Sequence, residues 1–264
     1  MTDQTAEQAP ETLEGWYALH QIYRIDRERN TPAGTAESDV FRRTDNTAYG
    51  WSEAVSLIGS TSDVMFMHFR PTLDAIGDVQ RELASQPWMR RLVPTYSFLS
   101  VTEAGLYHMT AKIADEAVAR GGEVGDKEYH AAIRTRAESE RTNPYVMKRL
   151  YPVRPEAMPY VSFYPMSKRR AVGQNWYSLP IGERSRLMHE HGLSGRRYAG
   201  RVQQVITGAI GFDAWEWGVT LFAGDPLDFK KIVSDMRFDV ASAEYAEFGP
   251  VYVGKVGALA EVLG

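Results

Sequence analysis

The sequence predicts an α+β protein in which two ferredoxin-like domains pack together as a dimeric α+β barrel. Stretches of alternating apolar and polar residues, typical of strands, are interleaved along the chain with stretches of helical periodicity. In the second half these stretches follow the order strand, helix, strand, strand, helix, strand, which is the ferredoxin-like order. The sequence shows no internal repeat, so the two domains are inferred from the order of elements alone.

The first half opens with a clear strand pattern. Trp16, Ala18, His20 and Ile22 alternate with a second set of side chains, so we expect the strand to present two distinct faces. The predicted elements of this half are a strand over 16–25, a short helix over 51–58, a strand over 64–69, a helix carrying Leu73, Ile76, Val79 and Leu83, and a strand over 95–101.

The second half supplies the remaining elements and, with them, the domain boundaries. Its predicted elements are a strand over 160–166, a helix over 181–191 closed by Gly192, strands over 201–208 and 215–223, a helix over 226–236 and a strand over 247–254. We therefore predict an acidic disordered tail over 1–14, a first domain over 15–116, a charged, glycine-containing linker or active-site loop over 117–155, and a second domain over 156–264.

The composition excludes several classes of function. Cysteine is absent, which excludes thiolate nucleophiles, cysteine-ligated zinc and iron–sulfur clusters. The formal net charge of −4 argues against nucleic acid as the main partner. No apolar run reaches the roughly 20 residues that a membrane span needs, and the acidic N-terminus is unlike a secretory signal. We therefore expect a cytoplasmic protein with no membrane partner.

Two histidines of the predicted helix over 181–191 fall on different faces. At about 100° per residue, Leu187 and Met188 define the apolar face and His191 lies between them, whereas His189 points to the opposite side. A histidine on an apolar face is usually a core residue with satisfied hydrogen bonds. The functional alternative is a neutral imidazole that offers one nitrogen to a metal or haem iron. The pattern alone leaves both interpretations open.

The strand that starts at Tyr160 carries a second group of candidates. Tyr164 and Met166 share one face, and Lys168 follows with two arginines directly after it. Such a face would suit a cavity for a large, flat, partly anionic ligand, and the alternative is a core strand that runs into a solvated basic turn. Gln204 stands among the apolar residues of a later strand, and a buried amide needs a partner from protein or ligand.

Long segments of the second half carry a pattern that resembles the coproheme decarboxylases of the chlorite dismutase superfamily. The segments are FYPMSKRR, NWYSLP, LMHEHGLSGRRYAGRVQQVITG and GFDAWEWGVTLFAGDPLDFKKIVSDMRFDVASAEYAEFGPVYVG. The resemblance is dense over about 160–254 and diffuse in the first half. It implies two ferredoxin-like domains per chain, the second one binding haem, and a homopentamer.

The resemblance also implies a reaction and its site residues. Fe-coproporphyrin III (coproheme) would lose the carboxyl groups of propionates 2 and 4 as carbon dioxide, driven by hydrogen peroxide, to give haem b. His191 resembles the axial iron ligand, Tyr164 the tyrosine that becomes a radical and oxidises the first propionate, and Lys168 the lysine that contacts the second. The other matches are Met166 beside the porphyrin edge, Gln204 as the distal amide over the iron, Arg237 and Ser242 as propionate-binding residues, and Trp176 and Trp217 at tryptophan positions of the family.

The chain departs from the family pattern at two positions. Arg149 matches a propionate-binding arginine only if the intervening segment shifts by one residue. Met147 stands where another branch of the family has a distal histidine, so the chain resembles the branch with a distal glutamine.

Two other functions remain open on the sequence. A chlorite dismutase would have a distal arginine where Gln204 stands. A non-catalytic haem-binding barrel protein would not need Tyr164 together with Lys168 and Arg237.

Overall fold

The structure, a computed structural model, describes residues 9–29, 38–41 and 47–264, and it contains one large antiparallel sheet with helices packed on it. The strands are β1 (Thr12–Ile25), β2 (Trp51–Leu57), β3 (Val64–Arg70), β4 (Leu92–Gly105), β5 (Tyr160–Lys168), β6 (Arg170–Ala171), β7 (Gln174–Asn175), β8 (Val202–Gly208), β9 (Trp217–Ala223), β10 (Ala246–Phe248) and β11 (Tyr252–Gly257). β6 and β7 form a separate small hairpin. The mixed α+β class predicted from the sequence is confirmed.

The large sheet closes into a ring because β5 pairs along both of its edges. One edge pairs with β9, and the other pairs with β11 and then with β10. The order around the ring is β5, β11, β2, β3, β1, β4, β8, β9. Side chains on the inner face form an apolar cluster that includes Trp16, Ile22, Phe163 and Phe222. Burying each of these side chains contributes about 1.5–3 kcal/mol, so the interior is a main source of stability.

The helices lie on the outer face of the ring. They are α1 (Leu73–Ser85), α2 (Tyr107–Ala119), α3 (Lys127–Glu140), α4 (Pro144–Leu150), α5 (Ile181–Arg196), α6 (Leu227–Met236), α7 (Val240–Ala243) and α8 (Leu259–Leu263). α1 packs Val79 and Leu83 against Val64 and Phe66 of β3. Within the described ranges, no helix has the length and apolarity needed to cross a membrane.

The two halves of the chain contribute four strands each with matching order. The first half gives β2, β3, β1, β4 and the second gives β8, β9, β5, β11. In the second half α5 follows β5 and α6 follows β9, which is the ferredoxin-like order. The division into two domains, with boundaries at 116 and 156, stays a prediction.

The prediction of a helix over 51–58 is wrong, because residues 51–57 form β2. β2 pairs with β3 on one edge and with β11 on the other. Trp51 and Val55 join the apolar interior, and Glu53 forms an ion pair with Arg154 at 2.9 Å. Sheet pairing and burial therefore outweigh the local helical pattern.

The region over 117–155, predicted as a linker or active-site loop, is helical for most of its length, because α2 ends in it and α3 and α4 follow. Its role between two domains stays a prediction. α3 begins at Asp126, whose carboxylate accepts a hydrogen bond from the main-chain N–H of Tyr129 at 2.7 Å. Tyr129 and Ile133 then pack against Ile113 of α2. The charge that suggested a loop reflects the polar outer faces of a helix pair.

The predicted acidic tail over 1–14 is too long, since β1 already begins at Thr12. Thr12 pairs with Gly105 of β4. Residues 1–8 lie outside the described part of the chain.

Two further elements end differently from the prediction. The helix that Gly192 was expected to close continues to Arg196, and the left-handed glycine conformation follows at Gly200, where φ is +79°. The strand predicted over 247–254 is split into β10 and β11, which pair with different parts of β5.

Candidate functional site

The outer face of β5 carries three of the candidate side chains. Tyr164, Met166 and Lys168 alternate along this face, whereas Phe163 points into the ring interior. Met166 lies opposite Trp217 in the pairing with β9. α6 packs over this part of the sheet, and α5 packs on α6 and lies close to Gln204 of β8 at Gly195, so the candidate residues lie between sheet and helices.

His191 lies on the side of α5 that contacts α7, away from the solvent-exposed face, as the helical spacing predicts. Leu187 is buried and His189 is exposed. Nδ1 of His191 lies 3.0 Å from Oδ2 of Asp239, and the hydroxyl of Ser242 lies 3.4 Å from the same nitrogen. Because Nδ1 is engaged, Nε2 is the ring nitrogen left for a ligand.

Asp239 is held in place as the first residue before α7. Its Oδ1 accepts a hydrogen bond from the main-chain N–H of Ser242 at 2.9 Å. Burial by itself raises the pKa of Asp239, but the hydrogen bond and charge of His191, together with Ser242, bring this pKa below its usual value. The carboxylate is therefore ionised at neutral pH and orients the imidazole. Carboxylate–histidine pairs of this kind support metal-bound histidines.

Tyr164 is buried at 8% exposure in an apolar cluster between sheet and helices. Its ring meets the ring of Phe248 edge to face at 5.9 Å, and the guanidinium of Arg237 lies 4.1 Å from the centre of the same Phe248 ring. Burial raises the pKa of Tyr164 to about 12, although the charge of Arg237 opposes this shift. The phenol is neutral at physiological pH, and it loses its proton readily only if it is oxidised.

Lys168 is buried at 9% exposure, which is unusual for a lysine. Its Nζ donates a hydrogen bond to the carbonyl oxygen of Ala241 at 2.8 Å and lies 4.1 Å from the centre of the Trp176 ring. Burial lowers the pKa of Lys168 to about 8, and the charges of Asp239 and Glu216 act against this lowering. The ammonium is thus a desolvated cation on which the charge of Asp239, the partner of His191, acts at longer range.

Gln204 lies on β8 directly beneath α5. A methyl group added at Gly195 would come within 2.9 Å of Nε2 of Gln204 and 3.0 Å of the terminal carbon of Met236. Gly195 is four residues after His191, so both residues lie on the same face of α5. The amide and the imidazole therefore approach the same space between helix and sheet.

Arg149 lies at the edge of this region and reaches the other candidates through intermediates. Its guanidinium donates to the main-chain carbonyl of Glu103 at 3.4 Å, and Oε1 of Glu103 accepts a hydrogen bond from the Trp217 indole at 2.8 Å. Burial raises the pKa of Glu103, while the Trp217 hydrogen bond and the charge of Arg149 lower it in part. Trp217, opposite Met166, links Arg149 to the face of β5.

The structure therefore brings most of the candidates together. α7 connects His191 and Ser242 with Lys168, and Phe248 connects Tyr164 with Arg237. Sequence reasoning did not single out Asp239, Phe248, Glu103 or the contact between Lys168 and Trp176. Of these, Asp239 left a signal, because Asp is a preferred residue at the position directly before a helix.

The residues fit a haem better than a metal ion held by protein alone. Within the described residues, no group of three or more His, Asp or Glu side chains could hold a metal ion. A haem iron needs only one or two axial protein ligands, such as one imidazole backed by a carboxylate. Aromatic and apolar side chains suit the porphyrin face, and the cations Lys168 and Arg237 suit its carboxylates.

Comparisons with known proteins show the family of the chain. The family model described as chlorite dismutase matches residues 33–257. A coproheme decarboxylase from Staphylococcus saprophyticus is 37% identical over an alignment of 260 residues, and the match covers 94% of this chain and 94% of that protein.

Two solved structures show the same fold. A haem-binding protein from Thermus thermophilus is 38% identical, with a TM-score of 0.76 over 97% of this chain and 96% of that one. Chlorite dismutase from Candidatus Nitrospira defluvii, in complex with imidazole, is 19% identical, with a TM-score of 0.63 over 95% of this chain and 94% of that one. The last likeness concerns the fold alone, whereas the family model and the Staphylococcus relative extend over most of the sequence. The chain therefore belongs to the chlorite dismutase family and is a haem-related enzyme of that family.

Proposed function

We propose that the chain catalyses the hydrogen-peroxide-dependent decarboxylation of coproheme at propionates 2 and 4, giving haem b. The observation that carries this proposal is the cluster of an aspartate-backed His191, a buried Tyr164 and a buried Lys168 within one space between sheet and helices. Each step converts one propionate into a vinyl group and carbon dioxide, which releases two electrons and one proton. One hydrogen peroxide takes up the two electrons with two protons and leaves as two waters, so one further proton is consumed.

His191 would hold the iron through Nε2, with Asp239 fixing the ring through Nδ1. When bound, coproheme supplies a redox-active iron that reacts with peroxide, and it also supplies the carboxylates that are lost. Gln204 would offer an amide hydrogen bond in the same space, and Met166 would pack beside the porphyrin edge.

Tyr164 would carry the oxidation to the first propionate. A phenol can lose an electron and a proton, and a pKa near 12 keeps that proton in place until oxidation occurs. The apolar surroundings of Tyr164 exclude water from the reacting group. Arg237 contacts the same Phe248 ring as Tyr164, so its charge would bind a carboxylate close to the phenol.

Lys168 would contact the second reacting propionate, with Ser242 and Arg149 as further carboxylate-binding groups. Tyr164 and Lys168 are four residues apart on one strand, which at 3.3 Å per residue separates them by roughly 13 Å. This distance is on the scale of a porphyrin edge, so one tyrosine does not reach both propionates in one pose. A three-propionate species should therefore accumulate between the two steps.

A chlorite dismutase activity is the second candidate, since the fold is shared. That activity relies on a distal arginine, and Gln204 is the candidate distal residue here, which favours decarboxylation. A non-catalytic haem-binding protein would have no use for a buried phenol and a buried ammonium beside the same ligand. The assembly we propose is a homopentamer in the cytoplasm.

Adding peroxide to the coproheme complex and following the porphyrin by mass spectrometry tests the proposal. Stepwise loss of two carboxyl groups is expected. Rapid oxygen release from chlorite by the same protein would favour the dismutase, and an unchanged porphyrin mass would favour a binding protein. Gln204→Ala should still convert coproheme, because the amide is proposed to adjust the pocket and not to carry the oxidation.

A further inference from the structure

The ammonium of Lys168 is buried, yet its hydrogen bond goes to an uncharged group. The acceptor is the carbonyl oxygen of Ala241 at 2.8 Å, and the face of Trp176 lies 4.1 Å away on another side. The carboxylates of Asp239 and Glu216 influence the cation only through longer-range charge. A desolvated cation with such neutral neighbours is incompletely compensated, and an incoming carboxylate would complete it.

Main-chain hydrogen bonds hold the backbone that carries this ammonium in place. The N–H of Lys168 donates to Oε2 of Glu216 at 2.7 Å, and the N–H of Glu216 donates to the hydroxyl of Ser167 at 3.2 Å. The hairpin of β6 and β7 then returns the chain, so that the N–H of Trp176 donates to the carbonyl of Arg169 at 3.0 Å. The backbone that carries Lys168 and the backbone that carries Trp176 are thereby held together.

Trp176 is itself immobilised. It is completely buried and packs with Leu187 of α5 and Ala241 of α7. The rings of Tyr107 and Tyr245 lie 6.3 Å and 5.7 Å from it. The indole therefore presents its face to the ammonium without the freedom to turn away.

We propose that Trp176 and the carbonyl of Ala241 form a rigid seat for the Lys168 ammonium, and that this seat selects porphyrins carrying a carboxylate at the position of the second reacting propionate. Trp176 is then a positioning residue that acts through Lys168. An ammonium has three N–H donors, so a carboxylate can bind while the Ala241 bond and the indole contact remain. The inference rests on the proposed function and specifies how that site distinguishes substrate from product.

α7 links this seat to the proposed iron ligand. Ala241, which accepts the Lys168 bond, and Asp239, which holds His191, belong to the same short helix and its capping residue. The cation and the imidazole are thus positioned by one element. Loss of one carboxylate at the seat would weaken porphyrin binding without altering the imidazole.

Redox-inactive zinc porphyrins test the seat in the absence of turnover. Zinc coproporphyrin III carries four propionates, and zinc mesoporphyrin IX has ethyl groups in place of the two reacting ones. Fluorescence titration gives the ratio of their Kd values for the wild type, Trp176→Leu, Trp176→Phe, Lys168→Met and Trp88→Leu. Trp88 is a matched control, because it is a buried tryptophan in a different apolar cluster.

The wild type should prefer zinc coproporphyrin III. Trp176→Leu should reduce this preference about tenfold, because it removes the cation–π contact that positions the ammonium. Lys168→Met should reduce it by at least as much, because it removes the cation that binds the carboxylate. Trp176→Phe, which keeps a weaker aromatic face, should reduce it about threefold. Trp88→Leu should leave it unchanged.

A second measurement uses the protein without any porphyrin. Acetylation of Lys168 by acetic anhydride, followed by peptide mass mapping, should be slow in the wild type and in Trp88→Leu and about tenfold faster in Trp176→Leu, matching the loss of the cation–π contact.

A full preference for zinc coproporphyrin III in Trp176→Leu would overturn the seat and leave the proposed function intact. No preference in the wild type would overturn the proposed substrate as well. If Trp176→Leu does not fold, an unchanged ratio in Trp176→Phe overturns the seat.

Discussion

Asp239 binds His191 and the start of α7 at the same time. Its Oδ2 lies 3.0 Å from Nδ1 of His191, while its Oδ1 accepts the N–H of Ser242 at 2.9 Å. The two oxygens of one carboxylate therefore set the ring orientation of the histidine relative to a helix end. A proton on Nδ1 is the one that can be shared with an ionised carboxylate, so Nε2 carries the lone pair.

Asp239→Asn should weaken haem binding about 10–100-fold, the range found when such supporting groups are lost. The pKa of Asp239 is lowered in the folded protein, so its ionised form contributes stability above the unfolded pKa of about 3.8. That contribution is lost as the pH falls through the still lower pKa that Asp239 has in the folded protein. Titration with coproheme at pH 7 checks the affinity, with the exposed Asp115→Asn as control. Wild-type affinity in Asp239→Asn would show that the carboxylate does not support the ligand.

His191→Ala should change the absorption spectrum of the ferric coproheme complex and weaken binding, because the proposed axial ligand is removed. His189→Ala should do neither, since this histidine points to solvent from the opposite face of α5. The two spectra are compared at equal coproheme occupancy. An unchanged spectrum in His191→Ala would assign the iron to another residue.

Tyr164→Phe should keep coproheme binding but lose nearly all turnover. The substitution preserves the ring that meets Phe248 and removes only the O–H that is proposed to be oxidised. Mass spectrometry after peroxide titration should show unreacted coproheme. Complete conversion to haem b by this variant would refute the proposed radical role.

Lys168→Ala should stop the reaction after one decarboxylation. Tyr164 is unchanged in this variant and can still react with the first propionate, whereas the cation proposed for the second is absent. The mass should then settle at the three-propionate species, one carboxyl group below coproheme. Equal amounts of coproheme and haem b without that species would contradict an ordered reaction.

Lys168→Met should stabilise the ligand-free protein at pH 7, by about 1–3 kcal/mol. Burial lowers the pKa of Lys168 from 10.5 to about 8, so the folded protein holds a costly charge below pH 8. Between pH 8 and 10.5 the unfolded chain binds more protons than the folded one, so wild-type stability rises relative to the variant. Urea unfolding at pH 7 and pH 10 should show the difference shrinking. The exposed Lys112→Met should have no comparable effect.

Local patterns in the sequence predicted those parts of the site that lie on regular elements. The alternation over β5 placed Tyr164 and Met166 on one face and Phe163 on the other, as observed. The helical spacing separated His191 from His189 in the same way. Both results depend only on side-chain direction within one element, which the period of that element determines.

Contacts between distant segments could not be predicted in this way. Lys168 and Ala241 are far apart in sequence, and their hydrogen bond depends on how α7 packs against β5. The same limit explains the error over 51–58, where two paired edges decide the structure of β2. It also explains the region over 117–155, where packing of Ile133 on Ile113 stabilises a helix whose composition is polar.

The pairing of β5 on both edges affects how activity can be lost. β5 is bonded to β9 on one edge and to β11 and β10 on the other, with Phe163 inside the ring and Tyr164 beneath the helices, so it should not fray on its own. We expect its amide hydrogens to exchange with solvent only when the ring as a whole opens. The distance between Tyr164 and Lys168 is therefore maintained for as long as the whole protein stays folded. Heat or denaturant should abolish both decarboxylation steps in a single cooperative transition.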